Sequence, residues 1–266
     1  MIRLNKKITG PFLIHTDIFQ TRHLLEQKKN VKLDPVDILK QHETILIDSF
    51  GYSEVCYPSF NYDFTTTGKY SPSSSPSQVG VLSNFLRESS YLTRTNVPVF
   101  SFLIGEDFNS HYDNFPFESN SIFNELFAND GSIIFYGAAI NSCTYLHFVE
   151  FQAGPPRYRY DKEFKGLIKS FDNEEETSVS FHVRPMGMSL DYNWNFLLKL
   201  LDDKGLVYAL EKNVFAIKAR DLTEVWGEQI TQNDLSILTN ECKENIDSKL
   251  SILQRRFDIT DFEEVD

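Results

Sequence analysis

The chain has 266 residues, 41% of them hydrophobic, 24% charged and 14% aromatic with 23 Phe, a balance suited to a soluble globular protein whose core is packed with rings. Its 26 basic and 38 acidic residues leave a formal net charge of -12, which argues against a broad electrostatic surface for nucleic acid. Cys56, Cys143 and Cys242 are scattered without CxxC spacing, so neither a zinc site nor a disulfide framework is implied and a reducing cytoplasm is the expected compartment. The apolar run at Phe12-Leu13-Ile14 is too short for a signal-peptide core. No stretch reaches the roughly 20 apolar residues of a membrane span.

Along the chain, Pro11 to Asp17 reads as a strand running into a polar turn, and Thr21 to Lys32 as a helix face or a loop. Asp34 and Pro35 are an N-cap and a first helical residue. Thr44-Ile45-Leu46-Ile47-Asp48 is β-rich, and Glu54 to Phe60 is a second short apolar run. This alternation predicts an α/β domain. Thr65 to Ser77 is a Ser/Pro-marked segment that reads either as a linker or as a functional loop. It leads into an amphipathic helix from Val79 to Arg87. Thr93 to Leu103 joins a polar turn to an apolar run, and Ser121 to Phe127 is a capped helix ending near Asn129-Asp130-Gly131. The alternation in Ser178 to Val183 predicts a strand. Asn195 to Leu201 and Thr231 to Lys249 read as helices, with a hairpin between them from Leu206-Val207-Tyr208-Ala209-Leu210 and Val214-Phe215-Ala216-Ile217-Lys218. The acidic tail, Asp258 to Asp266, is expected to fray.

The stretch that organises the rest is Ile133 to Glu150. A buried strand ends at Gly137, Asn141-Ser142 reads as a helix cap, and a helix follows. On that helix Thr144, His147 and Glu150 fall three residues apart and share a face. Hydroxyl, imidazole and carboxylate in this order are the parts of a base, its orienting partner and a polar stabiliser. A structural histidine at a helix start is the competing reading, and Cys143 beside it reads as a packing residue.

Four segments together resemble the aminoglycoside 3-N-acetyltransferase family over about residues 10 to 220. Thr144-Tyr145-Leu146-His147-Phe148-Val149-Glu150 is similar to its Thr-x-x-His-x-x-Glu and is the most specific. Phe12 to Asp17 resembles a strand ending in His-Ser-Ser, with Thr16 and Asp17 replacing the serines. Tyr57-Pro58-Ser59-Phe60 with Ser75 to Leu82 resembles its Pro-Thr-Phe segment and its Thr-Pro stretch leading to Leu-Gly. Arg94-Thr95-Asn96-Val97-Pro98 resembles an Arg-Ser-x-His-Pro turn in which Val97 replaces the histidine.

The resemblance implies a single acyltransferase domain over 1–266, a layered α-β-α sandwich with a central mixed sheet, distinct from the GNAT fold, with a C-terminal helical extension over about 221–257. It implies acetyl-CoA or another acyl-CoA as co-substrate, no metal, and direct attack by an amine with His147 as general base, Glu150 holding its ring and Thr144 as an oxyanion donor. His15, Thr16, Arg94 and Thr95 are the coenzyme candidates, and Asp17, Asp113, Arg157 and Tyr158 the acceptor candidates. The segment Pro156 to Lys162, rich in Arg and Tyr, resembles members found in surface-polysaccharide gene clusters, which favours an amino-sugar acceptor, nucleotide-linked or free, over an aminoglycoside drug. A non-catalytic binding protein on the same fold is the third reading, and a homodimer is left open.

Overall fold

The computed structural model describes residues 2–25, 34–170 and 173–264. Its strands in chain order are β1 (Phe12–Thr16), β2 (Val55–Pro58), β3 (Lys69–Tyr70), β4 (Thr93–Arg94), β5 (Phe102–Ile104), β6 (Ser132–Tyr136), β7 (Tyr160–Ser170), β8 (Asn173–Val183), β9 (Tyr208–Glu211) and β10 (Val214–Lys218). The helices are α1 (Pro35–Phe50), α2 (Phe64–Thr67), α3 (Val81–Leu86), α4 (Ile122–Ala128), α5 (Leu146–Gln152), α6 (Trp194–Asp202), α7 (Ala219–Gln232) and α8 (Asn240–Leu253).

A seven-stranded sheet in the order β4-β5-β2-β1-β6-β10-β9 forms the middle layer. It is mixed: β1 runs parallel to β2 and β6, while β5, β10 and the two edge strands are antiparallel to their neighbours. The pleat sends alternate residues to opposite faces. Leu13, Ile133, Phe135 and Ile217 join a core under α4, α5, α6, α7 and α8. Phe12, Ile14, Ile134, Tyr136 and Ala216 join a second core under α1 and α3. The expected α-β-α sandwich with a central mixed sheet is therefore the observed one. A second sheet, β3-β7-β8, is dominated by the long β7–β8 hairpin.

Several local expectations are corrected. Thr44 to Asp48, read as β-rich, lies inside α1, where His42, Leu46 and Phe50 form a buried stripe at a spacing of four. That amphipathic stripe and the Asp34 cap, whose side chain accepts from Val36 N at 2.8 Å, override the preference of β-branched residues for strands. Thr231 to Lys249, read as one helix, contains the end of α7, a break and most of α8. In the Ser/Pro segment, Arg87 donates to the Ser73 and Ser75 carbonyls. Asn61 donates to the Pro76 carbonyl at 3.0 Å, so Ser73 to Pro76 is a pinned loop rather than a linker. The acidic tail is held as well: Asp258 and Asp261 form a capping box, and Glu263 pairs with Lys162. The expected helix or loop from Thr21 to Lys32 falls partly outside the described residues, as do the last two residues of the tail.

Candidate active site

The turn after β6 decides where the key side chains stand. Gly137 has φ of +74°, and a Cβ there would lie 2.1 Å from the Asp17 carbonyl oxygen, so only glycine passes. Asn141-Ser142, expected to cap the helix, belongs to a short 3-10 turn in which Ser142 donates back to the Ala139 carbonyl at 2.7 Å. The helix proper begins at Leu146. Thr144 therefore precedes α5 instead of sharing its face, and its Oγ1 is buried with no partner among the described residues.

His147 and Glu150 meet as the spacing predicts, with Nδ1 3.2 Å from Oε2. Glu150 has no exposed surface, and a buried carboxylate survives only if its lone pairs are satisfied and its charge is offset. Its Oε1 accepts from Tyr158 at 2.9 Å and from Tyr192 at 2.7 Å. Its Oε2 faces Arg159 Nε at 2.8 Å and His182 Nε2 at 3.8 Å. Burial by itself would raise the Glu150 pKa; the Arg159 charge, with the hydrogen bond from His147 and the nearby His182 ring, outweighs it and holds the carboxyl well below its usual range. His147 keeps 28% of its side chain exposed. Desolvation pushes its pKa below 6.5, the Arg159 charge pushes the same way, and the hydrogen bond to Glu150 opposes both.

Nδ1 of His147 has two neighbours competing for it, because Arg159 Nη2 lies 3.1 Å away. A guanidinium only donates, whereas a carboxylate only accepts, so the two contacts require opposite tautomers. Arg159 Nη2 also donates to the Tyr192 hydroxyl, whereas Glu150 Oε2 is an acceptor that the imidazole N–H can satisfy. We therefore place the imidazole proton on Nδ1, directed at Glu150.

His147 and Arg159 open onto a cavity of about 700 Å³. Phe100, Phe117, Phe164 and Phe181 make an aromatic wall, and Lys162, Arg184 and Glu263 stand among the lining residues. Val99, also in the lining, has φ of +68°, a rare conformation for a β-branched residue and a mark of strain found preferentially at functional sites. His147, Glu150 and His182 offer ligand atoms within 4.8 Å of one another. A metal there would need the carboxylate oxygen that Arg159 already holds, and would stand against a guanidinium.

The remaining predicted residues are dispersed. Tyr158 is fully buried and holds Glu150, so it supports the carboxylate rather than lining the cavity. Arg157 points elsewhere, in a bidentate pair with Asp234, Nη2 donating to Oδ1 at 2.7 Å and Nε to Oδ2 at 3.1 Å. Asp113 is exposed and Asp17 accepts from Phe19 N within its own turn; neither lines the cavity of His147. His15 is buried and stacked on Phe135 at 5.5 Å, and desolvation lowers its pKa to about 3. Arg94 is also buried, donating to Ser101 Oγ at 3.2 Å and to the carbonyls of Ser59 and Ser75. Thr95 Oγ1 accepts from Phe102 N, and Thr16 closes β1 at its pairing with Tyr136. The residues sequence reasoning missed are His182 and Tyr192. His182 lay in a recognised strand, but nothing local marks either residue as a partner of Glu150.

Fold and site together define a three-layer α/β protein in which a carboxylate-supported histidine opens on an aromatic cavity. A sequence model described as aminoglycoside 3-N-acetyltransferase matches residues 14–227, and the chain belongs to that family. AAC-IIIb bound to CoASH is similar at 15% identity, covering 85% of this chain and 91% of its own, with a TM-score of 0.66. The apoenzyme of AAC(3)-IVa is 16% identical over 91% of this chain and 92% of its own, with a TM-score of 0.62. YokD from Bacillus subtilis is 12% identical, with coverage of 86% and 89% and a TM-score of 0.59. At such identities the likeness is one of fold. No curated protein matches the sequence. Among the described residues no helix is long and apolar enough to cross a membrane.

Proposed function

We propose that this protein is an acetyl-CoA-dependent N-acetyltransferase that acylates the amino group of an amino sugar, with His147 as general base. One observation carries the reading: a partly exposed imidazole lines a cavity while its Nδ1 faces a fully buried carboxylate held by Tyr158, Tyr192 and Arg159. Family membership supports the acyl-transfer chemistry, and the CoASH complex of AAC-IIIb supports the coenzyme.

With Nδ1–H donating to Glu150, Nε2 carries the free lone pair. The neutral acceptor amine attacks the thioester carbonyl, and Nε2 takes the proton that the new C–N bond makes acidic. The tetrahedral intermediate expels the coenzyme's sulfur, and the imidazolium returns the proton to that thiolate. The products are an amide and free thiol, with no acyl-enzyme. Glu150 steadies the imidazolium, and the unpartnered Thr144 hydroxyl is the donor we assign to the developing oxyanion. Thr16 is the coenzyme candidate we retain. The side chains of His15, Arg94 and Thr95 are engaged inside the fold.

A thiol-release assay with acetyl-CoA and a panel of amino sugars tests the reading. Turnover is expected with at least one of them, and an inert protein that nonetheless binds coenzyme would favour the non-catalytic alternative. A variant of AAC(3)-IVa is known in complex with a gentamicin, so an aminoglycoside acceptor belongs in the same panel.

A further inference from the structure

We propose that the acceptor carries an anionic group, a phosphate or a carboxylate, in addition to its reacting amine, and that Arg184 binds it. This rests on the reading of the His147 cavity as the acceptor site, and deepens it by naming the acceptor's charge.

The charged groups around the cavity decide the point. Arg159 is neutralised by Glu150 behind the wall, and Lys162 is paired with Glu263. Arg184 also lines the cavity, is exposed, and has no carboxylate within 4.0 Å among the described residues. Burial keeps His182 neutral, with a pKa near 4, so it adds no charge at neutral pH. The chamber therefore holds three permanent cations against Glu150 and Glu263, a local excess of one positive charge in a chain of net charge -12.

Such a chamber is built against a polycation. An aminoglycoside brings several ammonium groups, each of which needs an acceptor or a carboxylate when it leaves water. Both carboxylates at this site are already engaged by cations of the protein, and Asp17 and Asp113 lie outside the lining. An anion matches the unpaired guanidinium, which grips phosphate or carboxylate through two parallel hydrogen bonds. In the same cavity the aromatic wall of Phe100, Phe117 and Phe181 suits a ring or another flat apolar body. The acceptor class is thus an amine with one reacting nitrogen, a ring body and an anionic end.

The test uses the full chain and Arg184→Gln, an exposed substitution that leaves the fold intact. Probes are an amino-sugar 1-phosphate, a UDP-linked amino sugar, an amino-sugar carboxylate, neutral glucosamine and gentamicin. Binding is measured calorimetrically without acetyl-CoA, and turnover by thiol release. The anionic probes are expected to bind about tenfold tighter than glucosamine, the effect of one charge-assisted contact, and Arg184→Gln to remove that margin. The phosphate and carboxylate arms identify which anion is preferred. Equal binding of neutral and anionic sugars, tightest binding of gentamicin, or an Arg184→Gln defect confined to acetyl-CoA would each overturn the proposal. Anion preference without thiol release from any acceptor would instead remove the acyl-transfer reading and leave the anion site standing.

Discussion

Glu150 shows what a buried charge requires. It is surrounded by two phenols, a guanidinium and two imidazoles, and removing any one exposes the desolvation cost the others share. His147→Ala is expected to lower turnover by about 10²–10⁴-fold, the usual worth of a general base, with coenzyme binding retained. Thiol release and a coenzyme titration check this together; normal turnover would take His147 out of the mechanism. The pH profile follows from the direction in which the His147 pKa moves. A base must be neutral, and burial and Arg159 hold His147 below 6.5, so the acid limb of kcat is expected below pH 6.5. Arg159→Gln removes a cation that disfavours the imidazolium, so that limb should move to higher pH, while Arg159→Lys should leave it near its original place. The same change strands Glu150 and should cost about 3–5 kcal/mol of stability, read from denaturant unfolding. An acid limb unmoved in Arg159→Gln would show that the guanidinium does not tune the base.

The elements act by delivering these groups. The step from β6 to α5 turns on Gly137, where both the left-handed φ and the 2.1 Å approach to the Asp17 carbonyl exclude a side chain. Gly137→Ala should cost at least about 2 kcal/mol, in the upper part of the range for single substitutions, and thermal unfolding measures it. Arg94 does comparable work between β2, β4 and the Ser73 to Pro76 loop. Arg94→Ala takes one charged donor from each of the Ser59 and Ser75 carbonyls, which keep Ser101 Oγ and Arg87 as partners, with an expected loss of about 1.5–3 kcal/mol for each charged hydrogen bond removed. A variant as stable as the parent would show that water replaces the guanidinium there. The β7–β8 hairpin matters because its inner end brings His182, Phe181 and Lys162 to a cavity whose base stands on α5.

Across the whole molecule, stability should depend on pH through buried histidines. His15, His42 and His182 are all buried, and desolvation lowers their pKa values from 6.5 to about 3, 4 and 4. The unfolded chain therefore binds more protons between those values and 6.5, so stability rises with pH across that window and is lost as pH falls through it. Every tenfold loss of proton affinity on folding corresponds to about 1.36 kcal/mol. The expected outcome is a melting temperature that declines steadily from pH 6.5 toward pH 4. A flat profile would mean that these rings are accessible to water. Charge also matters on this scale: in a chain of net charge -12, Arg184 has no carboxylate partner among the described residues, which would let an anionic ligand bind where the overall field repels it.

The sequence by itself determined the elements whose signals are local. These include the cap at Asp34-Pro35, the hairpin of β9 and β10, the strand ending at Gly137, and the His147–Glu150 spacing, which needs one turn of helix and nothing else. Local signals failed where distant contacts outweigh them, as at Thr44 to Asp48, whose β-branched residues yield to a buried helical stripe, and at the tail, which Lys162 holds from another element. Only the tertiary structure decided which of Arg157, Tyr158 and Arg159 face the site, and that Arg94 turns inward to carbonyls. It also brought Tyr192 from 42 residues along the chain to the same carboxylate. The reason is that a side chain's partner depends on which elements pack together, and one chain segment carries no record of its neighbours across the fold.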